Sequence, residues 1–249
     1  MFIKTGHVIG LYKDPIEGDL CSKKIYKALG MKKTALVLFS GGLDSTTLLV
    51  NLLEQGWSCH ALSFDYGQRH VYELTAAKKI VDFYDVPQTI IKCNMPQVGA
   101  ASSLLDHSID IVESDQQQNS VTSYVPARNS IFLAYALSVA EQLSISDIFV
   151  GANKDDWGNY PDCRPQFYSA FTKMAAIASN NGDLAIHAPF CQMTKPEIIL
   201  LAKQLNVDFS KTVTCYAASA ASSGCGACAA CKLRNSAFTA AGVVDTLLA

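Results

Sequence analysis

Apolar residues along this chain alternate between short continuous runs and repeats with helical spacing. The runs at 34–39, 57–64, 88–93, 146–152 and 184–188 predict five strands. A helix is predicted after the glycine turn that follows the first strand, and others at 71–84, 129–143, 165–179 and 194–205. Continuously apolar strands that alternate with helices predict the α/β class, with a doubly wound, mainly parallel five-stranded sheet and helices on both faces.

Local signals refine this pattern. Thr194 and Glu197 have the spacing of a capping box, which predicts where the helix at 194–205 begins. The helix at 129–143 is apolar on nearly all sides, so we expect it to be buried. Between 94 and 124 the pattern fails, and a loop of that length in a compact domain is usually functional or mobile.

The chain is expected to have three parts. Residues 1–30 show no sustained periodicity and are interrupted repeatedly by glycine and proline, which predicts a peripheral N-terminal extension. The α/β domain is expected at 31–209. A cysteine-rich, zinc-binding C-terminal subdomain with a terminal helix is expected at 210–249.

Composition limits the class of protein. Of the 249 residues, 49% are hydrophobic and 17% charged, which is enough apolar surface for a globular core. Twenty Lys and Arg against 22 Asp and Glu give a net charge of −2, which disfavours a stable nucleic-acid partner. No apolar run reaches the ~18 residues that span a bilayer, and residues 1–30 lack the apolar stretch of a signal peptide. We therefore expect a cytoplasmic protein with no membrane partner.

The turn after the first strand carries the clearest chemistry. Its two glycines let backbone N–H groups point inward at a helix N-terminus, an arrangement that binds phosphate. The turn lacks the lysine of a Walker loop, which disfavours γ-phosphate transfer. Asp44 would repel a phosphate, so we expect it to hold the turn or bind Mg²⁺. The predicted nucleotide-binding residues are Phe39, Ser40, Gly41, Gly42, Leu43, Asp44, Ser45, Thr46, Thr47, Leu48 and Leu49.

A second motif lies near the C-terminus, where four of the nine cysteines cluster: Cys215, Cys225, Cys228 and Cys231. Four thiolates suit a closed tetrahedral Zn²⁺ site of structural type. An iron–sulfur cluster and free thiols are the alternatives, although the C-x3-C-P element of ferredoxins is missing. Cys59, Cys93 and Cys191 lie in or beside apolar strands and are expected to be core residues.

Several segments together resemble a known family. SGGLDS at 40–45 resembles the pyrophosphate loop (PP-loop) of the ATP pyrophosphatases, which split ATP between the α and β phosphates. FDYGQRH at 64–70, YVPARN at 124–129, YPDCR at 160–164 and the clustered cysteines make the chain similar to the QueC family of 7-cyano-7-deazaguanine synthases. The resemblance runs in order from about residue 34 to the C-terminal helix. Ala127 replaces the usual glycine, which leaves that turn less free, and Pro196 replaces the usual alanine.

The resemblance implies an adenine nucleotide alpha hydrolase-like fold, a homodimer, and ATP, Mg²⁺ and Zn²⁺ as cofactors. The implied reaction converts 7-carboxy-7-deazaguanine and ammonia into the nitrile by adenylating first the carboxylate and then the amide, in queuosine biosynthesis. Since there is no room for a glutaminase domain, we expect free ammonia as the nitrogen source.

Candidate site residues are assigned on the motifs that match. The catalytic candidates are Ser40, Asp44, Ser45, Arg128 and Lys195. The substrate-binding candidates are Asp65, Tyr66, Gln68, Arg69, Arg128, Asn129, Asp156, Tyr160, Asp162 and Arg164. Of the two candidate carboxylates, Asp162 is expected to accept hydrogen bonds from the donor edge of the deazaguanine, with Asp156 as the alternate.

Structural and functional alternatives remain open. Asp65 can serve a turn, Asn129 can cap a helix, and Asp162 can cap the helix that begins near residue 165. The chain can also be another PP-loop enzyme, such as a tRNA thiolase or an amide-forming synthetase, or a non-catalytic zinc module. A thiolase needs cysteines beside the loop and a basic tRNA surface, and the sequence offers neither clearly.

Overall fold

The computed structural model describes residues 33–68, 72–95, 102–105, 123–180, 182–218 and 224–247. The elements are β1 (Thr34–Leu38), α1 (Leu43–Glu54), β2 (Ser58–Asp65), α2 (Tyr72–Phe83), β3 (Gln88–Lys92), α3 (Arg128–Leu143), β4 (Asp147–Phe149), α4 (Pro165–Ala178), β5 (Ala185–His187), α5 (Lys195–Gln204) and α6 (Ala229–Ala241). Short 3-10 turns lie at Lys154–Asp156, Pro161–Cys163 and Phe209–Lys211. Within these ranges, no helix has the length and apolar character needed to cross a membrane.

The five strands form one parallel sheet in the order β3-β2-β1-β4-β5. Strand β1 is central, and Leu36 pairs with His60 of β2 and Ile148 of β4. The predicted α/β class and parallel sheet are therefore confirmed. Successive strands run from β1 towards β3 on one side, and the chain then returns to place β4 on the other side of β1. Such a switch opens a crevice at the carboxyl ends of β1 and β4, where sheets of this kind bind ligands.

Alternate side chains of the strands supply a core on each face of the sheet. Leu36 and Leu62 belong to one core, and Val37 and Ala61 belong to the other. A third cluster joins α1, α5 and α6, and Phe238 of α6 is buried in it. Residues Thr34–Ala249 form one compact unit. The extension expected at 1–30 and its boundary at residue 31 lie outside the described residues, so the proposed division of the chain stays a prediction.

Two expectations from the apolar pattern are corrected. Strands β4 and β5 have three residues each, shorter than the runs at 146–152 and 184–188. Helix α3 is not buried on all sides: its buried residues are Leu133, Ala136 and Ala140, while Tyr135 and Leu143 are exposed. An apolar helix that covers one face of a sheet still presents its outer side to solvent unless another element covers it.

Arg234 of α6 fixes the segment that precedes the clustered cysteines. It is 2% exposed and donates to both carboxylate oxygens of Asp245, at 2.5 and 2.8 Å. The same guanidinium donates to the carbonyls of Phe209 and Thr212, each at 3.1 Å, and to Thr214 Oγ1 at 3.0 Å. A buried guanidinium with this many partners holds the backbone at 209–214 in one place.

Candidate active site and metal centre

The loop between β1 and α1 is shaped by its close approach to α2. Gly41 has a φ of +78°, and a Cβ at this position would lie 2.7 Å from the backbone nitrogen of Ala77. Both the left-handed conformation and the missing Cβ are therefore needed. The contact with α2 is a requirement for glycine that the sequence did not reveal, and the predicted binding of an anion by the N–H groups of the turn stays a prediction.

Two hydroxyl groups organise the loop. Ser40 Oγ lies 3.2 Å from Ser45 Oγ and accepts from the Gly42 N–H at 3.3 Å. Ser45 Oγ donates to the Gly42 carbonyl at 3.2 Å. These bonds fix both hydroxyls at the N-terminus of α1, where the helix dipole favours an anion.

The predicted nucleotide-binding segment divides between the cavity wall and the core. Phe39, Ser40, Gly42, Leu43, Asp44 and Ser45 line the cavity described below. Leu48 and Leu49 are fully buried in the core, and the Thr47 hydroxyl donates to the Leu43 carbonyl at 2.8 Å. Thr46 is 2% exposed. Beyond Ser45 the segment supports helix α1 and does not face the cavity.

Asp44 forms a buried ion pair with Lys195 of α5. Its Oδ2 lies 3.2 Å from Lys195 Nζ and accepts from Asn153 Nδ2 at 2.9 Å. Its Oδ1 is buried and has no hydrogen-bond partner within the described part of the chain. A free carboxylate oxygen beside a phosphate-type loop fits a hard divalent cation such as Mg²⁺.

Lys195 is fixed at the first position of α5. The predicted capping box between Thr194 and Glu197 is confirmed, and it sets the start of the helix. Burial lowers the pKa of Lys195, but the carboxylates of Asp44 and Asp156 outweigh burial and raise the pKa above its ordinary value. The ammonium group therefore stays charged at neutral pH.

A cavity of about 560 Å³ opens at the carboxyl ends of β1 and β4. It brings together all five predicted catalytic residues: Ser40, Asp44, Ser45, Arg128 and Lys195. Five predicted substrate-binding residues line the same cavity: Arg128, which is also a catalytic candidate, and Tyr66, Asn129, Asp156 and Tyr160. Loops that are distant in the sequence thus meet at the place expected from the sheet topology.

The wall opposite the loop is aromatic and carries a cation. Arg128, at the start of α3, interacts with the Tyr66 hydroxyl. The rings of Tyr66 and Phe132 lie 5.4 Å apart, and the Tyr160 hydroxyl lies 2.9 Å from Ser123 Oγ. Such a wall suits a flat heterocycle that carries an anionic group.

Three other predicted substrate residues do not line the cavity. Asp65 accepts a backbone N–H two residues later at 3.4 Å, as a turn residue does. Gln68 is 1% exposed, and its amide bonds two backbone groups of the preceding turn. Arg164 is exposed and donates to the carbonyl of Trp157 at 3.0 Å. Arg69 lies outside the described residues.

Asp162, the expected base-binding residue, is also absent from the cavity wall. Its Oδ2 accepts the backbone N–H of Asn129 at 3.0 Å, because the turn Pro161–Cys163 packs against the start of α3. Asp162 therefore caps α3. The sequence had left open a cap on a different helix, the one that begins at residue 165. Of the two candidate carboxylates, Asp156 is the one that lines the cavity.

Other cavity residues were not anticipated from the sequence. Glu73, Asp155, Thr214 and Tyr216 all line the wall. The position of Asp155 just after β4 was an available signal. Thr214 and Tyr216 flank Cys215, and nothing in their sequence indicated that the cysteine cluster adjoins the loop.

The four clustered cysteines form a compact candidate metal site. Their sulfur atoms all lie within 4.8 Å of one another. Four sulfurs around one tetrahedral ion at bond lengths of about 2.3 Å lie about 3.8 Å apart, so the cluster has the size for a single ion. Burial raises the pKa of Cys225, but backbone N–H groups of Ala227 and Cys228 outweigh it and lower the pKa to about 6. A thiolate, the form that binds metal, is favoured there.

The metal centre and the cavity share a wall. The two residues beside Cys215, and the two between Cys228 and Cys231, line the cavity. The Val213 N–H donates to the Gly41 carbonyl at 3.1 Å, which ties the cysteine-bearing segment to the loop. Because the segments that carry the cysteines also form part of the cavity wall, a change in the conformation of the cysteine site would change the cavity as well.

Burial gives Asp156 a testable signature. Burial raises its pKa above the ordinary value, and the nearby Lys195 and Arg128 offset this only in part. The folded protein thus holds this proton more tightly than the unfolded chain does, and the associated stability is lost as pH rises through the folded pKa. We expect Asp156→Asn to be more stable than the wild type in urea unfolding, by a margin that grows as the pH rises above the ordinary aspartate pKa of about 4.

The matched control is Asp183→Asn, which removes one negative charge at an exposed position. A margin for Asp156→Asn that stays constant with pH, or a destabilised Asp156→Asn, would contradict the burial argument.

Comparison with known proteins identifies the family. Residues 34–242 match the family described as queuosine biosynthesis protein QueC. The chain is 45% identical over 219 residues to 7-cyano-7-deazaguanine synthase of Hydrogenovibrio crunogenus, covering 86% of this chain and 94% of that protein. It is 47% identical over 220 residues to the synthase of Thiobacillus denitrificans, covering 86% and 97%. Among solved structures, NMN synthetase from Francisella tularensis has a TM-score of 0.46 at 15% identity, covering 88% of this chain and 82% of that one. The chain therefore belongs to the QueC family of queuosine biosynthesis proteins.

Proposed function

We propose that this chain makes 7-cyano-7-deazaguanine from 7-carboxy-7-deazaguanine and ammonia, with ATP as the activating substrate. The observation that carries the proposal is the convergence of the PP-loop-like turn, two cationic side chains and an aromatic wall in one cavity of about 560 Å³. The family assignment and the named relatives support the same product.

The chemistry requires two activations. A carboxylate is a poor electrophile, so its oxygen attacks the α-phosphorus of ATP and pyrophosphate leaves. Ammonia then displaces AMP and forms the amide. The amide oxygen attacks a second ATP in the same way, and loss of AMP and a proton gives the nitrile. Each activation places an oxygen nucleophile in line with the α-phosphorus, so one site can serve both.

The residues of the loop are suited to the phosphates. The fixed hydroxyls of Ser40 and Ser45 and the N–H groups of the turn would bind pyrophosphate oxygens at the helix N-terminus. Asp44, through its free Oδ1, would hold Mg²⁺, which neutralises phosphate charge when bound. Lys195, held by Asp44 Oδ2, would supply a fixed positive charge to the transition state.

The opposite wall is suited to the heterocycle. Arg128 would pair with the substrate carboxylate through its fork of donors, and Tyr66 or Tyr160 would stack on the ring. Asp156, which lies in the same wall, would accept from the N1–H and exocyclic amine of the deazaguanine. A carboxylate suits these two parallel donors better than an amide does.

The cysteine site is proposed to hold Zn²⁺ as a structural ion. The spacing of its sulfurs fits one tetrahedral ion, whereas an iron–sulfur cluster holds its cysteines farther apart around several metal atoms. With four protein ligands, no position remains for a reacting water. A homodimer, a cytoplasmic location and free ammonia as the nitrogen source are proposed with it, on the sequence analysis alone.

The alternative function to consider is a thiolase, because such an enzyme needs a cysteine near the loop and one cysteine lines the cavity. Cys163 lines the cavity, but burial raises the pKa of its thiol to about 12. The thiol is therefore protonated at neutral pH and is a poor nucleophile. This observation favours the amide and nitrile chemistry.

Product analysis tests the proposed reaction. Protein, ATP, Mg²⁺, ammonium and 7-carboxy-7-deazaguanine should yield the nitrile together with AMP and pyrophosphate, as measured by mass spectrometry. Asp44→Ala should lower the rate at least ~100-fold, since it removes a cation ligand and leaves Lys195 unpaired. The control is Asp82→Ala, which removes a carboxylate at an exposed position. Stoichiometric ADP and phosphate, or an amide as the final product, would refute the proposal.

Metal analysis tests the zinc assignment. We expect about one Zn²⁺ per chain, and we expect Cys228→Ser to lose metal and thermal stability together because binding is coupled to folding. Cys59→Ser, at a buried cysteine of the core outside the cluster, should keep its metal. Iron in the purified protein, or a stable Cys228→Ser variant with full activity and no metal, would overturn the assignment.

A further inference from the structure

Helix α3 begins with a strained residue next to the cavity. Ala127 has a φ of 54°, in the left-handed region that disfavours a side chain with a Cβ. Arg128 and Asn129 follow it directly, and both line the cavity. The backbone at Ala127 sets the direction of the Arg128 side chain. That backbone conformation is one that alanine disfavours.

Asp162 supplies the contact that holds this turn. Its Oδ2 accepts the Asn129 N–H at 3.0 Å, and its backbone carbonyl accepts from the Asn129 side-chain amide, also at 3.0 Å. The same amide also contacts Cys163 Sγ at 3.3 Å. The carboxylate lies at a helix N-terminus, where the dipole favours negative charge. The two segments are therefore joined by two hydrogen bonds, both donated by Asn129, the residue after Arg128.

We propose that Asp162 is a positioning residue for the substrate site: it holds Ala127 in its left-handed conformation and so aims Arg128 into the cavity. The inference rests on the proposed function in one respect, namely that Arg128 binds the carboxylate of the deazaguanine. Without the bond from Asp162, the turn at Ala127 relaxes and Arg128 leaves the geometry set by its contact with Tyr66. A displacement of about 1 Å at such a group is enough to slow a reaction severely.

The proposal distinguishes Asp162→Asn from Asp162→Ala. An asparagine oxygen still accepts the Asn129 N–H, so Asp162→Asn should keep the KM for the deazaguanine within about threefold of the wild type. The side chain of alanine accepts no hydrogen bond, so the Asn129 N–H loses its partner, and Asp162→Ala should lower kcat/KM for the deazaguanine at least ~10-fold while the KM for ATP changes less than about twofold. Adding Ala127→Gly to Asp162→Ala should restore much of the loss, because glycine adopts the left-handed conformation without strain.

A second measurement does not depend on the reaction. Hydrogen exchange in the segment 124–134 should be faster in Asp162→Ala than in the wild type. In Asp162→Asn it should be slower than in Asp162→Ala. The control is Glu141→Gln, which alters the same kind of bond at the far end of α3, where Glu141 Oε1 accepts the Asn180 N–H at 2.9 Å. Glu141→Gln should leave both the kinetics and the exchange at 124–134 unchanged.

The outcomes separate the inference from the proposed function. If the wild type does not convert the deazaguanine but exchange follows the stated order, the function is wrong and the positioning role stands for whatever ligand Arg128 binds. If the wild type is active but Asp162→Asn is as impaired as Asp162→Ala, Asp162 contacts the substrate and the inference is wrong. The inference also fails if Asp162→Ala changes only thermal stability, or if exchange at 124–134 is unchanged in it.

Discussion

The ion pair between Asp44 and Lys195 is the interaction on which the rest of the site depends. It joins the loop after β1 to the start of α5, and Asn153, from the segment after β4, donates to the same carboxylate. A charge removed from water destabilises a fold unless it is paired. The Asp44 carboxylate therefore needs Lys195 and Asn153 as partners, and the Lys195 ammonium needs Asp44. One oxygen of Asp44 is used to hold Lys195 and Asn153, and the other is left for a ligand. The same pair therefore joins the parts of the crevice and leaves one carboxylate oxygen for the cation that we propose there.

The C-terminal segment completes this crevice from the other side. Arg234 holds the backbone at 209–214, and Val213 then bonds the carbonyl of Gly41. The cysteine site begins at the next residues of the chain, and four residues adjacent to its cysteines line the cavity. The structural metal that we propose there would act on the substrate site without touching the reaction, because it would fix part of the cavity wall.

Local signals in the sequence were enough for part of this structure. The strand–turn–helix around Gly41, the capping box before Lys195 and the cysteine spacing each depend on residues close in the chain, and each was predicted. The convergence of loops also followed, since parallel strands end at one edge of a sheet. The partners of Asp162 and Arg234 lie 33 and 11 residues away, and no periodicity or spacing specifies such pairs. Choosing between Asp156 and Asp162 therefore required the packing of the turn Pro161–Cys163 against α3.

The central claim is that one site transfers both oxygens of the substrate carboxylate to adenylate. The most direct measurement uses 7-carboxy-7-deazaguanine labelled with ¹⁸O in both carboxylate oxygens and follows the label by mass spectrometry. The account predicts two molecules of AMP per nitrile, each carrying one ¹⁸O, and pyrophosphate with no label. Label released into water or found in phosphate, or a single labelled AMP per nitrile, would contradict it.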